Sequence, residues 1–123
     1  MPTSKAAVTL PRGERLRRAA EFQAVFQHGN RHERQSFVAL WRRADGRRVG
    51  FAVSRQLRGA VKRNRARRRI QAAYREIRTQ MAPNVEVVVV ARANAATRPF
   101  PELVEDMRRL AEALTDRTRT ATA

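Results

Sequence analysis

The chain has 123 residues, 42% of them hydrophobic, with 27 Lys plus Arg against 11 Asp plus Glu and no cysteine, for a formal net charge of +16. That length suits one compact domain, and the missing thiols exclude disulfides, thiolate metal sites and a cysteine nucleophile. So large an imbalance repels itself in a compact fold and calls for a polyanion: nucleic acid, an anionic membrane surface or an acidic protein. A membrane is the weaker of these. The longest apolar run, Val87 to Ala91, is far too short to span a bilayer, and residues 1–11 lack a signal-peptide core. A cytoplasmic location is therefore expected.

Residues 1–13 carry two prolines, a glycine and small polar residues, and read as a flexible arm before a single domain spanning 14–115. Phe22, Val25 and Phe26 then recur at i, i+3 and i+4, the spacing of one helical face, with Ala19 or Leu16 extending it. His28 and Gly29 close that helix, glycine being the usual residue just past a helix end. Ser36 to Trp41 reads as a strand, Asp45-Gly46 as a turn, and Arg48 to Ser54 as a second strand in which Val49, Phe51 and Val53 alternate. The short connection predicts that these two strands pair as an antiparallel hairpin. The segment Arg34 to Arg43 is also compatible with two short strands.

A long helix is predicted over roughly Ala60 to Met81, with Ala66, Ile70, Ala73, Tyr74, Ile77 and Met81 at helical spacing. Pro83-Asn84 ends it. Val85 to Ala91 is an almost wholly apolar, β-branched run, which predicts a central strand covered on both faces. A last helix is predicted from Pro101 to about Thr115, with Leu103, Met107, Leu110 and Leu114 on one stripe. Residues 116–123 are small and polar and read as a frayed tail. The order is helix, two or three strands, helix, strand, helix, which is an α+β layer structure with helices packed on a sheet.

The charge is concentrated. From Gly46 to Arg75 there is no acid, but eleven bases: Arg47, Arg48, Arg55, Arg58, Lys62, Arg63, Arg65, Arg67, Arg68, Arg69 and Arg75. Three or four such charges would be an ordinary solvated face; eleven repel one another at helical spacings. A polyanion that releases counterions from its phosphates on binding accounts for them better. At about 100° per residue from Ile70, Arg65, Arg68, Arg69 and Arg75 form an outward ridge, while Arg63 and Arg67 fall beside the apolar stripe. Arginine outnumbers lysine here, which favours forked contacts to phosphates and base edges. Charge alone does not separate RNA from DNA.

Phe22, Phe26, Phe37, Trp41 and Phe51 offer rings for stacking unpaired bases if they face a groove, although a phenylalanine pair on a helix is more often core. His28 and His32 show no metal-ligand spacing, and the metal question stays open. There is no Gly-rich phosphate loop, serine nucleophile signature or carboxylate pair. On residues alone this is a binding module. A structural ribosomal protein and a stand-alone nuclease are the competing classes. The nuclease is disfavoured because no acidic cluster lies near the basic region.

The stretch from Val53 to Arg68 closely resembles the signature of the bacterial ribonuclease P protein family: a Val53-Ser54 pair and basic residues, then Ala60-Val61, and Arg63-Asn64-Arg65 followed by further bases. Leu16, Phe22, Phe26, Gly29, Phe37-Val38, Arg48-Val49-Gly50, Tyr74-Arg75 and Val87 to Arg92 continue the resemblance in order, over roughly residues 14–115. The sequence departs from the family in having Arg58-Gly59 before Ala60, Leu40 where relatives often carry an aromatic, and Arg55-Gln56 in place of a basic pair. The resemblance implies a two-layer α-β sandwich of order αβββαβα with an unusual left-handed βαβ crossover. It also implies a catalytic RNA as partner, the 5′ leader of precursor tRNA as substrate, and Mg2+ held mainly by the RNA. No small-molecule cofactor is implied. By similarity, Arg58, Lys62, Arg63, Asn64, Arg65, Arg67, Arg68 and Arg69 contact the catalytic RNA, and Phe22, Phe26, Phe37, Phe51 and Arg48 belong to a leader cleft between the first helix and the sheet.

Overall fold

A computed structural model describes the chain over residues 19–122; Leu16 and the arm expected over 1–13 lie outside the described residues. Helix α1 (Ala19–His28) leads into strands β1 (Asn30–Glu33), β2 (Phe37–Arg43) and β3 (Arg48–Val53). Helix α2 (Ala60–Ile77) and a 3-10 turn (Arg78–Gln80) follow, then strand β4 (Val85–Ala91). A second 3-10 turn (Ala93–Ala96) precedes helix α3 (Phe100–Thr122). This is the α+β order αβββαβα.

The four strands lie in the order β1-β2-β4-β3. β4 pairs antiparallel with β2 and parallel with β3, and β1 pairs antiparallel with β2. The hairpin predicted for β2 and β3 does not form, because β4 lies between them. Its run of four valines must be covered on both faces, and Val85, Val87, Val88 and Val89 are all fully buried, which only a central strand provides. The segment 44–47 therefore spans two inter-strand spacings, roughly 10 Å, a reach that four residues cover. The connection β3–α2–β4 is the crossover that parallel neighbours require.

Strand parity sorts the side chains. Phe37, Ala39, Trp41, Val49, Val85, Val87, Val89 and Ala91 join Ile70, Tyr74, Leu103, Met107, Leu110 and Leu114 in one core between the sheet and helices α2 and α3. The opposite face carries a smaller cluster in which Val25 of α1 meets Val88, with Leu40 and Val90 against them. Gly29 makes this second layer possible: a Cβ there would stand 2.4 Å from the Val25 carbonyl oxygen and 3.0 Å from that of Trp41. The chain can leave α1 and enter β1 this tightly only without a side chain.

Helix α3 runs seven residues past its predicted end at Thr115. The Arg117 guanidinium lies 5.4 Å from the centre of the Trp41 ring, a cation–π distance, and Arg43 donates to the Thr118 carbonyl at 2.9 Å. Those long-range contacts hold a polar segment whose composition alone suggests fraying.

One buried polar cluster ties α3 to the turn between β1 and β2. The Asp106 carboxylate accepts from the Ser36 amide at 3.1 Å, the Ser36 hydroxyl at 2.7 Å, Arg98 at 3.0 Å and Arg34 at 3.4 Å. Burial pushes this carboxyl up, but the Ser36 bonds and the charges of Arg34 and Arg98 outweigh it and hold the group below its ordinary value. A depressed carboxyl contributes stability that is present above the unfolded-state value near pH 4 and is lost as pH falls through the lower folded-state value. Asp106→Ala is expected to cost about 3–5 kcal/mol in urea unfolding at pH 7. Asp106→Asn should show a shallower loss of stability than the parent chain below about pH 4; parallel acid titrations of the two would remove Asp106 from this role.

Candidate nucleic-acid interface

Helix α2 begins without a side-chain cap. Gly59 stands at its N-cap with φ of 94°, and the first turn holds no acid. Only glycine adopts that angle readily, so Gly59 makes the turn into α2 that Arg58-Gly59 sets at this position. Ala66, Ile70, Ala73, Tyr74 and Ile77 bury one side of the helix. The small alanines let the backbone approach the sheet closely.

The arginines of α2 divide by geometry. Arg63 does not point outward: its guanidinium folds back onto the loop before the helix, donating to the carbonyls of Ser54 at 2.9 Å, Leu57 at 2.8 Å and, more weakly, Val53 at 3.4 Å. Its position beside the apolar stripe is explained by this loop, not by an early break in the helix. Arg65 donates from Nε to the Ala96 carbonyl at 2.9 Å, and Arg69 donates to the carbonyl of Arg98. Both therefore lean against the 93–98 segment instead of standing on an outward ridge, although each guanidinium carries five donors. Arg67 donates to the Asn64 side-chain oxygen at 2.6 Å. Arg58, Lys62, Asn64, Arg67 and Arg68 are exposed. Among the described residues no carboxylate pairs with Arg58, Lys62, Arg67 or Arg68, whereas Glu105 of α3 binds Arg108 and Arg109, and Glu102 binds Arg98. The outer face of α3 neutralises itself; that of α2 does not.

On the other face of the sheet a groove of about 780 Å³ opens beside α1. Val38, Leu40 and Val90 form its apolar floor, and Phe26, 45% exposed, stands on its wall. Ser54, Gln56, Arg31, Arg92 and Asn94 supply polar edges. Glu33 bridges two of those edges, accepting from Arg31 at 3.1 Å and from Arg92 at 3.0 Å. The hydrogen bond and charge of Arg31, then those of Arg92, hold this exposed carboxyl below its ordinary value. The groove lies where β3 and β4 end side by side. The loop from Ser54 to Gly59 carries the chain from there into α2, so the groove and the basic helix start share one end of the molecule.

The aromatic set expected in the cleft is only partly there. Phe26 lines it, and the side chain of Phe22 lies outside the described residues. Phe37 is fully buried on the opposite face, and Phe51 packs with it there, edge-on to Tyr74 at 5.7 Å. Both are corrections that follow from strand parity: Phe37 shares a face with Trp41, and Phe51 with Val49. Arg48 is on the groove's side of the sheet but at the start of β3, in register with Glu86. That is roughly 20 Å from Ser54 at about 3.3 Å per residue. The floor residues Val38 and Val90 and the rim residues Arg31 and Arg92 are not singled out as cleft residues by the sequence, whereas Leu40, at the position where relatives often carry an aromatic, does line the groove. The alternation in Phe37–Trp41 carries the signal for the floor, since it puts Val38 and Leu40 opposite the core. His32 faces the core side, where burial and then the charges of Arg34 and Arg117 hold its imidazole below its ordinary value. No group of three or more His, Cys, Asp or Glu suited to a metal ion occurs among the described residues, nor any helix long and apolar enough to cross a membrane.

A sequence profile described as Ribonuclease P matches residues 10–115. The chain belongs to the ribonuclease P protein family. It is 38% identical over 101 residues to the ribonuclease P protein component of Symbiobacterium thermophilum, covering 80% of this chain and 88% of that one. It is 36% identical over 96 residues to that of an Exiguobacterium species, covering 76% and 83%. Its fold resembles the ribonuclease P protein of Thermotoga maritima with a TM-score of 0.71, at 24% identity over 81% of this chain and 96% of that one. The Staphylococcus aureus protein gives 0.68 at 22% identity, over 81% and 94%. The shared fold accounts for the sheet order and crossover around which the groove is built.

Arg63→Ala is expected to cost about 1.5–3 kcal/mol, the range for hydrogen bonds to a charged group, as a lowered urea midpoint. Arg67→Ala and Arg68→Ala should stay within about 0.5 kcal/mol of the parent. Equal midpoints for all three would deny Arg63 its task in the loop.

Proposed function

We propose that the chain is the protein subunit of ribonuclease P, which assists endonucleolytic removal of the 5′ leader from precursor tRNA while the catalytic RNA breaks the bond. The supporting observation is that an open groove with an apolar floor and a row of cations without carboxylate partners meet at one end of the fold. Arg58, Lys62, Asn64, Arg67 and Arg68, with Arg65 and Arg69 beside them, contact the folded RNA. Phe26 and the Val38–Leu40–Val90 floor receive the leader's bases, with Phe22 one helical turn ahead of Phe26. An apolar floor with a ring on its wall suits unstacked bases of any sequence.

The protein's contribution is binding: its cations offset the repulsion between leader phosphates and the RNA, so the complex forms with less Mg2+. On this proposal Mg2+ is held mainly by the catalytic RNA. Work on precursor tRNA places the chain in the cytoplasm. A structural ribosomal protein would use the same basic helix but has no need of a groove for a single strand.

The deciding experiment is reconstitution with the catalytic RNA and precursor tRNA at low Mg2+, where cleavage should require both components. Arg68→Ala should lower the slope of log affinity against log salt by about 0.7 to 0.9 units, one phosphate contact. Phe26→Ala should weaken binding of precursor tRNA while leaving mature tRNA nearly unchanged. Equal losses for the two RNAs would assign Phe26 to packing, and cleavage by the isolated polypeptide would overturn the assignment of catalysis to RNA.

A further inference from the structure

The groove rim holds an arrangement that binding alone does not explain. Arg31, on the short edge strand β1, and Arg92, just past β4, both line the groove, and Glu33 lies across them with one carboxylate oxygen on each. The charges belong to two different stretches of rim, because Arg31 and Glu33 share one face of β1 while Arg92 follows the central strand. All three side chains keep 41 to 59% of their surface exposed. None of the residues lining the groove is itself acidic, so Glu33 is the anion that its two rim arginines meet first.

We propose that Glu33 is an internal stand-in for a leader phosphate, a carboxylate that occupies the Arg31–Arg92 pair until a nucleic-acid phosphate displaces it. The inference rests on the groove receiving a single-stranded leader. Two oxygens shared between two guanidiniums is the geometry a phosphate presents through its non-bridging oxygens. Exposed ion pairs are weak and screened by salt, so the exchange is easy for a phosphate positioned by the rest of the substrate. It is unrewarding for one arriving alone. Glu33 thereby makes occupation of the rim depend on a leader already seated on Phe26 and Leu40. A charged residue on an edge strand also discourages strand pairing with another chain, but that purpose does not require both oxygens to lie on groove arginines.

The test uses the full chain reconstituted with the catalytic RNA, with Glu33→Gln as the variant of nearly equal size. Affinities for precursor tRNA and mature tRNA are measured across a salt series. The variant should bind precursor several-fold more tightly at low salt, with a salt slope steeper by about 0.7 units per phosphate, since the freed arginines neutralise leader phosphates more fully and release the cations condensed on them. Mature tRNA should be unaffected, and the gain should vanish when Arg31 and Arg92 are both replaced by alanine. Unchanged or weaker precursor binding overturns the proposal. So does an equal gain for mature tRNA, or a gain that survives loss of the two arginines. If the parent chain does not assist cleavage at all, the ribonuclease P reading fails and this inference with it; if the parent assists and the variant matches it in every measurement, only the role of Glu33 is lost.

Discussion

The burial of β4 on both faces is the constraint from which the rest of the molecule follows. A strand reading Val-Glu-Val-Val-Val-Val-Ala can satisfy its backbone and hide its side chains only with a strand on each side and a layer above and below. Its neighbours become β2, running against it, and β3, running with it. A parallel partner from the preceding segment demands a crossover, and α2 is that crossover. The C-terminal ends of β3 and β4 then lie side by side, leaving a gap at the sheet's end where loops replace strands. The single polar member, Glu86, is held by Arg42 at 2.7 Å, so even its charge is answered from the neighbouring strand.

The same geometry explains how so basic a helix can be kept in place without losing its charge. Arg63, Arg65 and Arg69 all donate to backbone carbonyls, those of residues 53–57, 96 and 98. A carbonyl is a dipole: it orients a guanidinium and satisfies its donors without cancelling the positive charge, whereas a carboxylate would do both. On α3 Arg108 and Arg109 are both paired with Glu105, and their charge is answered there. The molecule is polarised by its choice of acceptor as much as by the distribution of arginine along the chain. The positive field of α2 persists in the folded state, where it steers a polyanion toward the end that also holds the groove.

Much of this was legible from residues. Helical spacing placed α2 and its buried face, and the unbroken valine run identified the central strand. What failed was pairing: β2 and β3 look like a hairpin because a short turn joins them, and nothing local says that a strand from 38 residues further on, Glu86 against Arg48, will enter between. The error in the cleft is of the same kind. Phe37 and Phe51 are aromatic and near the right segments, but which face they occupy is set by parity relative to Trp41 and Val49, and so by which layer forms the larger core. Gly29 is a helix end by its neighbours and a close contact by its tertiary setting; only the first is visible in sequence. Arg31 and Glu33 are neighbours on one face of β1, but Arg92 comes to them from 59 residues away, and no spacing along the chain announces that third member.

The groove and the basic helix make different physical demands on a partner. The groove has an apolar floor, one exposed ring and a rim whose charges are partly matched, so it favours a strand whose bases are unstacked and turned inward. The outer face of α2 offers cations around a lone exposed valine, Val61, instead of an apolar floor, which suits the phosphates of a folded, base-paired RNA whose bases are turned away. Because the loop from Ser54 to Gly59 and the 93–98 segment both join the groove to α2, and Arg63 braces the first while Arg65 and Arg69 brace the second, any change in the seating of α2 on a partner bears directly on the edge of the groove. A partner that passes from paired to unpaired nucleotides over a short distance meets both surfaces at once. The substrate proposed above, a folded tRNA with a single-stranded leader, has such a junction.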